Sequence, residues 1–483
     1  MNQIDSQDAH FLFLENTDSP SHITLLYIYD QSELSEPVRY KNILTHVENR
    51  LHSAPVFYRR VKRVPMDIDF PYWVDDKSFD LEYHVRHMAL PTPGDWRQLC
   101  IQVSRLHSRP LDVSKPLWEM YVIEGLNNVE GFSPGAFAIV TKIHHCAMDE
   151  FTALELFESL HEVAPNEQQH LSKKQYISHP VSREPNVLDA LVSACGNNAL
   201  RLTRLGWSSL TNMRGISKFA ARKSLGMLGR YVDGSSLRDA PTTRFSGELT
   251  PHRVFDGIIV SSAAIDKLVE TVNGATRTHV AAVICGAALG KYLAHHGEAV
   301  KDASLVALLQ VNDRVAEAHA MIGNHISLDS LKLHTQLLHP VDRLHAIVST
   351  SENVGCRAET EERRVLMRKV FDGLPSSLLA LSGKHSKNKR SPYRQLFSSG
   401  NCTIAEMDGS EVPLYMLGAR LVTFGSLSPL YDGCGIRFNM AVYDGTTNIT
   451  FTADRSMLPD PELMRQCLIE TYEEIEAALK ETK

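Results

Sequence analysis

The stretch GAFAIVTKIHHCAMDEFTALELFESL, residues 135–160, changes its hydrophobic period once, and that change decides the local fold. Up to His145, apolar Phe137, Ile139 and Ile143 fall on alternate positions with Thr141 among them, which predicts a half-buried β-strand. Beyond it Phe151, Leu154, Phe157 and Leu160 recur every three residues, as one face of an amphipathic helix does. The junction is His144-His145-Cys146-Ala147-Met148-Asp149, so two imidazoles close a strand and a carboxylate opens the helix that follows.

Working outward, ITLLYIYD (23–30) and PLWEMYVIEGL (116–126) read as further strands, and 41–52 as a helix. Proline and polar residues at 165–190 suggest a linker. The stretch 190–232 is basic, with Arg201, Arg204, Arg214, Lys218, Arg222, Lys223 and Arg230 among apolar residues at helical spacing. Two readings fit it: a helix lying in a membrane interface, or a connecting helix whose apolar stripe packs on protein. A second α/β unit starts near 242. Strands are expected at 252–261 and 304–313, helices at 279–296 and around 340–380. A strand pair, RFNMAVYDG with TNITFTAD, and a closing amphipathic helix from DPELMRQ complete it.

Composition narrows the function classes. A net charge of -7 argues against nucleic acid as a partner. Eight scattered cysteines without a CxxC pair fit neither a zinc site nor a disulfide framework, which points to a cytoplasmic protein. The N-terminus lacks the basic segment of a signal peptide, and no apolar run approaches the roughly 20 residues of a spanning helix. GAALGK (286–291) is too short for a phosphate-binding loop, and no GxSxG occurs.

The chemistry falls on the 144–149 junction. Neutral imidazole, with an ordinary pKa of about 6.5, suits removal of a proton from an alcohol attacking a thioester. His145 is assigned this general-base role. Asp149 is expected to hold the loop or orient the ring, and His144 to shape the pocket or contact substrate. From spacing alone, ordinary strand-end histidines fit as well. A metal site fits poorly, because adjacent histidines chelate badly and no third ligand cluster is evident. Cys146 as nucleophile would need a depressed pKa.

Further segments carry a family resemblance. HSRPLDVSKPLWEMYVIEGL (107–126) followed by HHCAMDE resembles the active-site region of bacterial wax ester synthase/diacylglycerol acyltransferases. IDSQDAHFLFLEN, APTTRFSGELTPHR (240–253), GAT (274–276), IGNHIS (322–327) and PLYMLGARL (413–421) follow in that family's order. The resemblance implies an α/β (α+β) fold of two chloramphenicol-acetyltransferase-like domains with a tunnel between them. The expected division is 1–185, a basic helical linker at 186–240, and 241–483. It implies direct acyl transfer from acyl-CoA, a substrate rather than a cofactor, to a long-chain alcohol or diacylglycerol. Another hydroxyl or amine acceptor, or a lipid-binding member without turnover, is the alternative. By the same resemblance His145 is the base and Asp149 the motif acid, and the basic stretch would contact the inner membrane or lipid inclusions.

Three departures bear on the site. Glu150 stands where the family usually has glycine, adding bulk and charge unless it follows the helix N-terminus, where an acid is favoured. Thr278-His279 replaces Asn-Asp, so a Thr278 hydroxyl would have to serve any oxyanion. NCTIAEMDGSEV (401–412) replaces an Asn-Val-Pro-Gly-Pro loop, with Asn401 its remnant. Substrate contacts are therefore expected at Trp118 (pocket floor or plain core), Thr278, Asn324 in a Gly-Asn turn, and Asn401. Arg314 is a candidate partner for Asp149.

Overall fold

The computed structural model describes residues 2–51, 54–165, 193–194, 196–198, 240–300, 303–312, 326–353, 376–377, 380–381 and 400–481. The expected linker and basic stretch lie almost wholly outside these residues, as do Arg314 and Asn324. In the first half come β1 (Asn2–Gln3), α1 (Ser6–Leu14), β2 (His22–Asp30), α2 (Tyr40–Leu51), β3 (Arg59–Lys62) and β4 (Tyr72–Asp75). They are followed by β5 (Val85–Ala89), α3 (Trp96–Ser108), β6 (Trp118–Leu126), β7 (Ala136–His144) and α4 (Glu150–Glu158). The second half opens with β8 (Arg253–Ser261), α5 (Ser262–Thr271), α6 (Arg277–His295), β9 (Val306–Asn312), β10 (Ile326–Lys332) and α7 (Pro340–Asn353). It ends with β11 (Cys402–Asp408), β12 (Tyr415–Met416), β13 (Ala419–Leu427), β14 (Ile436–Tyr443), β15 (Thr446–Asp454) and α8 (Pro461–Glu481).

Two six-stranded sheets result among the described residues, one ordered β12-β13-β2-β7-β6-β5 and the other β10-β9-β11-β14-β15-β8. A small sheet, β1-β4-β3, stands beside them. β7 is central in the first sheet and is buried along its whole length, not half-buried as its alternation suggested. The reason is a helix layer on each face. Phe137, Ile139 and Ile143 join a core with Val47 of α2 and Leu154 and Phe157 of α4. Ala136, Ala138 and Val140 meet Leu99, Val103 and Leu106 of α3. That helix is secured by a capping box between Asp95 and Gln98.

Helix α3 also reaches the second sheet. Trp96 Nε1 donates to Asp256 of β8 at 2.7 Å, and Phe255 shares the α3 core. On the second sheet, Val280, Ile284 and Leu289 of α6 pack with Leu468 and Ile475 of α8 against Phe438 and Phe451.

The two sheets do not follow the two halves of the chain. β13, from the second half, pairs antiparallel with β2 from Arg420↔Asp30 to Leu427↔Thr24. Its other edge is covered by β12 only at Ala419 and Arg420. Farther along, side chains of the second sheet serve its backbone. Asn439 Nδ2 donates to Ser426 O at 2.8 Å, and Asn448 Nδ2 to Phe424 O at 3.0 Å. Buried carbonyls are thereby satisfied where strand pairing stops.

Close packing in the second sheet fixes one glycine. A Cβ on Gly257 of β8 would lie 2.6 Å from Ile449 O and 2.8 Å from Thr450 Cα, both backbone atoms of β15. Gly257→Ala is therefore expected to cost about 1–3 kcal/mol of stability, as overpacking does. Urea unfolding would read this as a lower midpoint, and an unchanged midpoint would contradict the close approach. No described helix is long and apolar enough to cross a membrane.

Candidate active site

β7 delivers His144 at its last position, and the turn that follows carries His145 into α4. The turn is pinned from both sides. His144 N donates to Leu117 O at 3.0 Å, and His145 N donates to Ser21 O at 2.9 Å. Ala147 N closes the turn onto His144 O at 2.9 Å.

The two histidines differ in what holds them. His144 Nδ1 accepts from Cys146 N at 3.1 Å, so a neutral His144 ring carries its proton on Nε2. That nitrogen lies 3.4 Å from Glu15 Oε2, and the imidazole is fully buried. Burial alone would raise the Glu15 pKa, but His144, the Ser21 N–H and Lys142 together hold it below the usual carboxylate range. His144 thus has one nitrogen hydrogen-bonded, and the other faces the Glu15 carboxylate without a hydrogen bond. The His145 ring stacks on Phe11 of α1, with centroids 4.6 Å apart and planes 13° from parallel, and it is 3% exposed.

Asp149 is the N-cap of α4. Its Oδ1 accepts from Thr152 N and from Thr152 Oγ1, both at 2.8 Å. Such a cap contributes roughly 1 kcal/mol to the helix and fixes where it starts.

Glu150 opens α4 and is fully buried. It follows the helix N-terminus, and its carboxylate enters the second sheet. Arg437 Nη2 of β14 donates to its two oxygens at 2.8 and 3.1 Å. Gln310 Nε2 of β9 donates at 3.1 Å, and the Ser428 hydroxyl donates as well. Glu150 therefore bridges the two sheets beside the motif.

The remaining expected residues lie as follows. The Trp118 ring is in the first-sheet core, stacked 4.7 Å from His84, with Nε1 donating to Phe57 O at 3.0 Å. The Thr278 hydroxyl donates to Glu406 of β11, so its proton is committed there. Asn401 is buried, accepting from Val306 N at 3.0 Å and donating to Pro241 O at 2.6 Å. These bonds join β9, β11 and the segment entering the second unit. Burial pushes the Cys146 thiol well above its usual pKa, which withdraws the thiolate a nucleophile needs. Among the described residues no group of three or more histidines, cysteines or acids is placed to hold a metal.

Three contributors were not singled out in the sequence. Phe11 and Glu15 come from α1 and its end, and their segment was quoted only for its resemblance. Arg437 lies in a strand that was recognised, but its partner is distant in sequence.

Comparison with known proteins shows what the chain resembles. Residues 4–280 match the wax ester synthase/diacylglycerol acyltransferase catalytic domain, and residues 322–476 match the corresponding C-terminal domain. The chain is 26% identical over 485 residues to a Mycobacterium tuberculosis protein named "Probable diacyglycerol O-acyltransferase tgs2", covering 98% of each. Among solved structures, the wax ester synthase/diacylglycerol acyltransferase from Marinobacter aquaeolei VT8 superposes with a TM-score of 0.69. It is 23% identical, over 99% of this chain and 100% of that one. The starter condensation domain of rhizomide synthetase RzmA, in a complex with C8-CoA and Leu-SNAC, gives 0.53 at 12% identity, covering 99% and 94%. The fold is the two-unit, chloramphenicol-acetyltransferase-like one.

Proposed function

The chain belongs to the wax ester synthase/diacylglycerol acyltransferase family of acyl-CoA-dependent O-acyltransferases, and from that premise we infer that it acylates a long-chain alcohol or a diacylglycerol with His145 as general base. The observation that carries the assignment is the turn itself, which sets His145 between the end of β7 and the Asp149 cap of α4. His144 has one nitrogen accepting from Cys146 N and the other facing Glu15. His145 stands in the same turn with its ring against Phe11.

In this mechanism the acceptor hydroxyl donates a hydrogen bond to the His145 imidazole. As its oxygen attacks the thioester carbonyl, the proton passes to the ring and a tetrahedral oxyanion forms. Collapse breaks the C–S bond, and the departing CoA sulfur takes the proton back from His145. An ester and free CoA result, with no acyl group left on the protein. Asp149 acts on this reaction indirectly, by fixing the start of α4 and so the turn that carries the base.

Likeness to the curated relatives supports diacylglycerol as an acceptor, and the family's description supports an alcohol. The test is release of CoA thiol from palmitoyl-CoA, measured with hexadecanol, with a diacylglycerol and with neither. Release that depends on one of these acceptors is expected. Release that ignores both, or none from a folded protein that binds palmitoyl-CoA, would sink the assignment of acceptor.

A further inference from the structure

We propose that Glu150 is a positioning residue, which ties the His145–Asp149 turn to the second sheet through Arg437, Gln310 and Ser428. The proposal rests on the reading of that turn as catalytic.

A carboxylate withdrawn from water is costly unless it is paired and fully hydrogen-bonded. Glu150 is fully buried, at the first position of α4 and next to Asp149. Its hydrogen-bond donors all come from the other half of the chain: Arg437 at 2.8 and 3.1 Å, Gln310 at 3.1 Å, and the Ser428 hydroxyl. They are cross-braced. Arg437 Nη2 also donates to Gln310 Oε1 at 2.5 Å, and Arg437 Nε to Asn439 Oδ1 at 3.1 Å. Gln310 thus donates to Glu150 while accepting from Arg437, closing a ring of three side chains.

A buried guanidinium nitrogen shared between Glu150 and Gln310 in a closed ring tolerates little displacement before its bonds break. The ring therefore sets the distance between the base-bearing turn and β9 and β14. Proton transfer to a base on that turn is sensitive to such a distance, since a displacement of about 1 Å can cost about a hundredfold in rate.

The test compares Glu150→Gln, Arg437→Lys and the double variant Glu150→Leu/Arg437→Met with the parent. Turnover, KM for palmitoyl-CoA and thermal midpoint are measured for each. Glu150→Gln is expected to lower kcat by about 10- to 100-fold while KM changes by less than about threefold, the pattern of lost positioning. The double variant replaces a buried ion pair with apolar groups, so its thermal midpoint should return close to the parent's. Its kcat should stay low. Recovery of both midpoint and kcat would mean that the pair only stabilises the fold, and the proposal would fall. An unchanged kcat in Glu150→Gln would overturn it directly. Should either Glu150 variant fail to fold, Arg437→Lys decides by the same division between kcat and KM. His145→Ala in the same assay separates the two readings. Parent-like turnover there removes the catalytic turn itself, whereas its loss beside an unaffected Glu150→Gln removes only the positioning role.

Discussion

Replacing His145 with alanine is expected to lower acceptor-dependent CoA release by about 10²- to 10⁴-fold, the range of general acid–base catalysis. The loss should fall mainly on kcat, because the ring takes the hydroxyl proton only as the C–O bond forms. The fold should survive, since the turn is held by bonds that do not involve the ring. The His145 N–H to Ser21 O and the cap of α4 by Asp149 both remain. Phe11 loses a stacking partner, which costs about 1 kcal/mol. Release is to be followed with palmitoyl-CoA and the preferred acceptor, with circular dichroism as the control for folding. Parent-like turnover in a folded variant would show that another group takes the proton.

A second large effect concerns acid. His46 and His161 lie together in the first half, and each has both ring nitrogens committed. His46 Nε2 meets Leu160 O at 2.7 Å, and its Nδ1 accepts from Arg50 Nη1 at 2.7 Å. His161 Nδ1 meets Phe157 O at 2.8 Å, and its Nε2 meets the Tyr29 hydroxyl at 2.8 Å. Protonating His46 would set one donor against another at Arg50. Burial, first of all, lowers both pKa values to about 4. The unfolded chain takes up these protons near pH 6.5, whereas the folded protein resists them until about pH 4. Stability is thus fully present above pH 6.5 and is lost as pH falls through that window. The two residues together carry on the order of 5 kcal/mol, comparable with the whole stability of many domains. The thermal midpoint should fall steeply between pH 6.5 and 4, and less steeply in His161→Gln, which cannot ionise. Equal slopes in parent and variant would contradict the assignment.

How much of this was readable beforehand depends on range. The β7–α4 junction was legible because a change of period is local, and the structure places it at 144–150. The double burial of β7 was less so. Phe137 and Ile139 announce one face, but Ala136, Ala138 and Val140 are small enough to pass as neutral, although they pack on α3. Helix α3 itself was not identified, despite the Asp95–Gln98 pair that caps it. In the site, His144, His145 and Asp149 lay within one motif. Glu150 could be seen as a departure, but its partners stand 160, 278 and 287 positions away, and no periodicity connects such residues. Trp118, Thr278 and Asn401 were named for substrate, and in the structure each side chain makes a hydrogen bond to a protein atom.

The crossing of β13 into the first sheet has a consequence for how the protein is made. One edge of β2, an apolar strand near the start of the chain, finds its partner only when residues 419–427 exist. At roughly 5–20 residues per second of synthesis, that edge waits on the order of half a minute to a minute after β2 itself has emerged. An unpaired apolar edge invites pairing with other chains. A polypeptide that ends before β13 keeps this edge open, so prematurely terminated products should cluster and be degraded while complete ones close. The late strand thereby makes completion of the message a condition for leaving the ribosome as a well-behaved molecule.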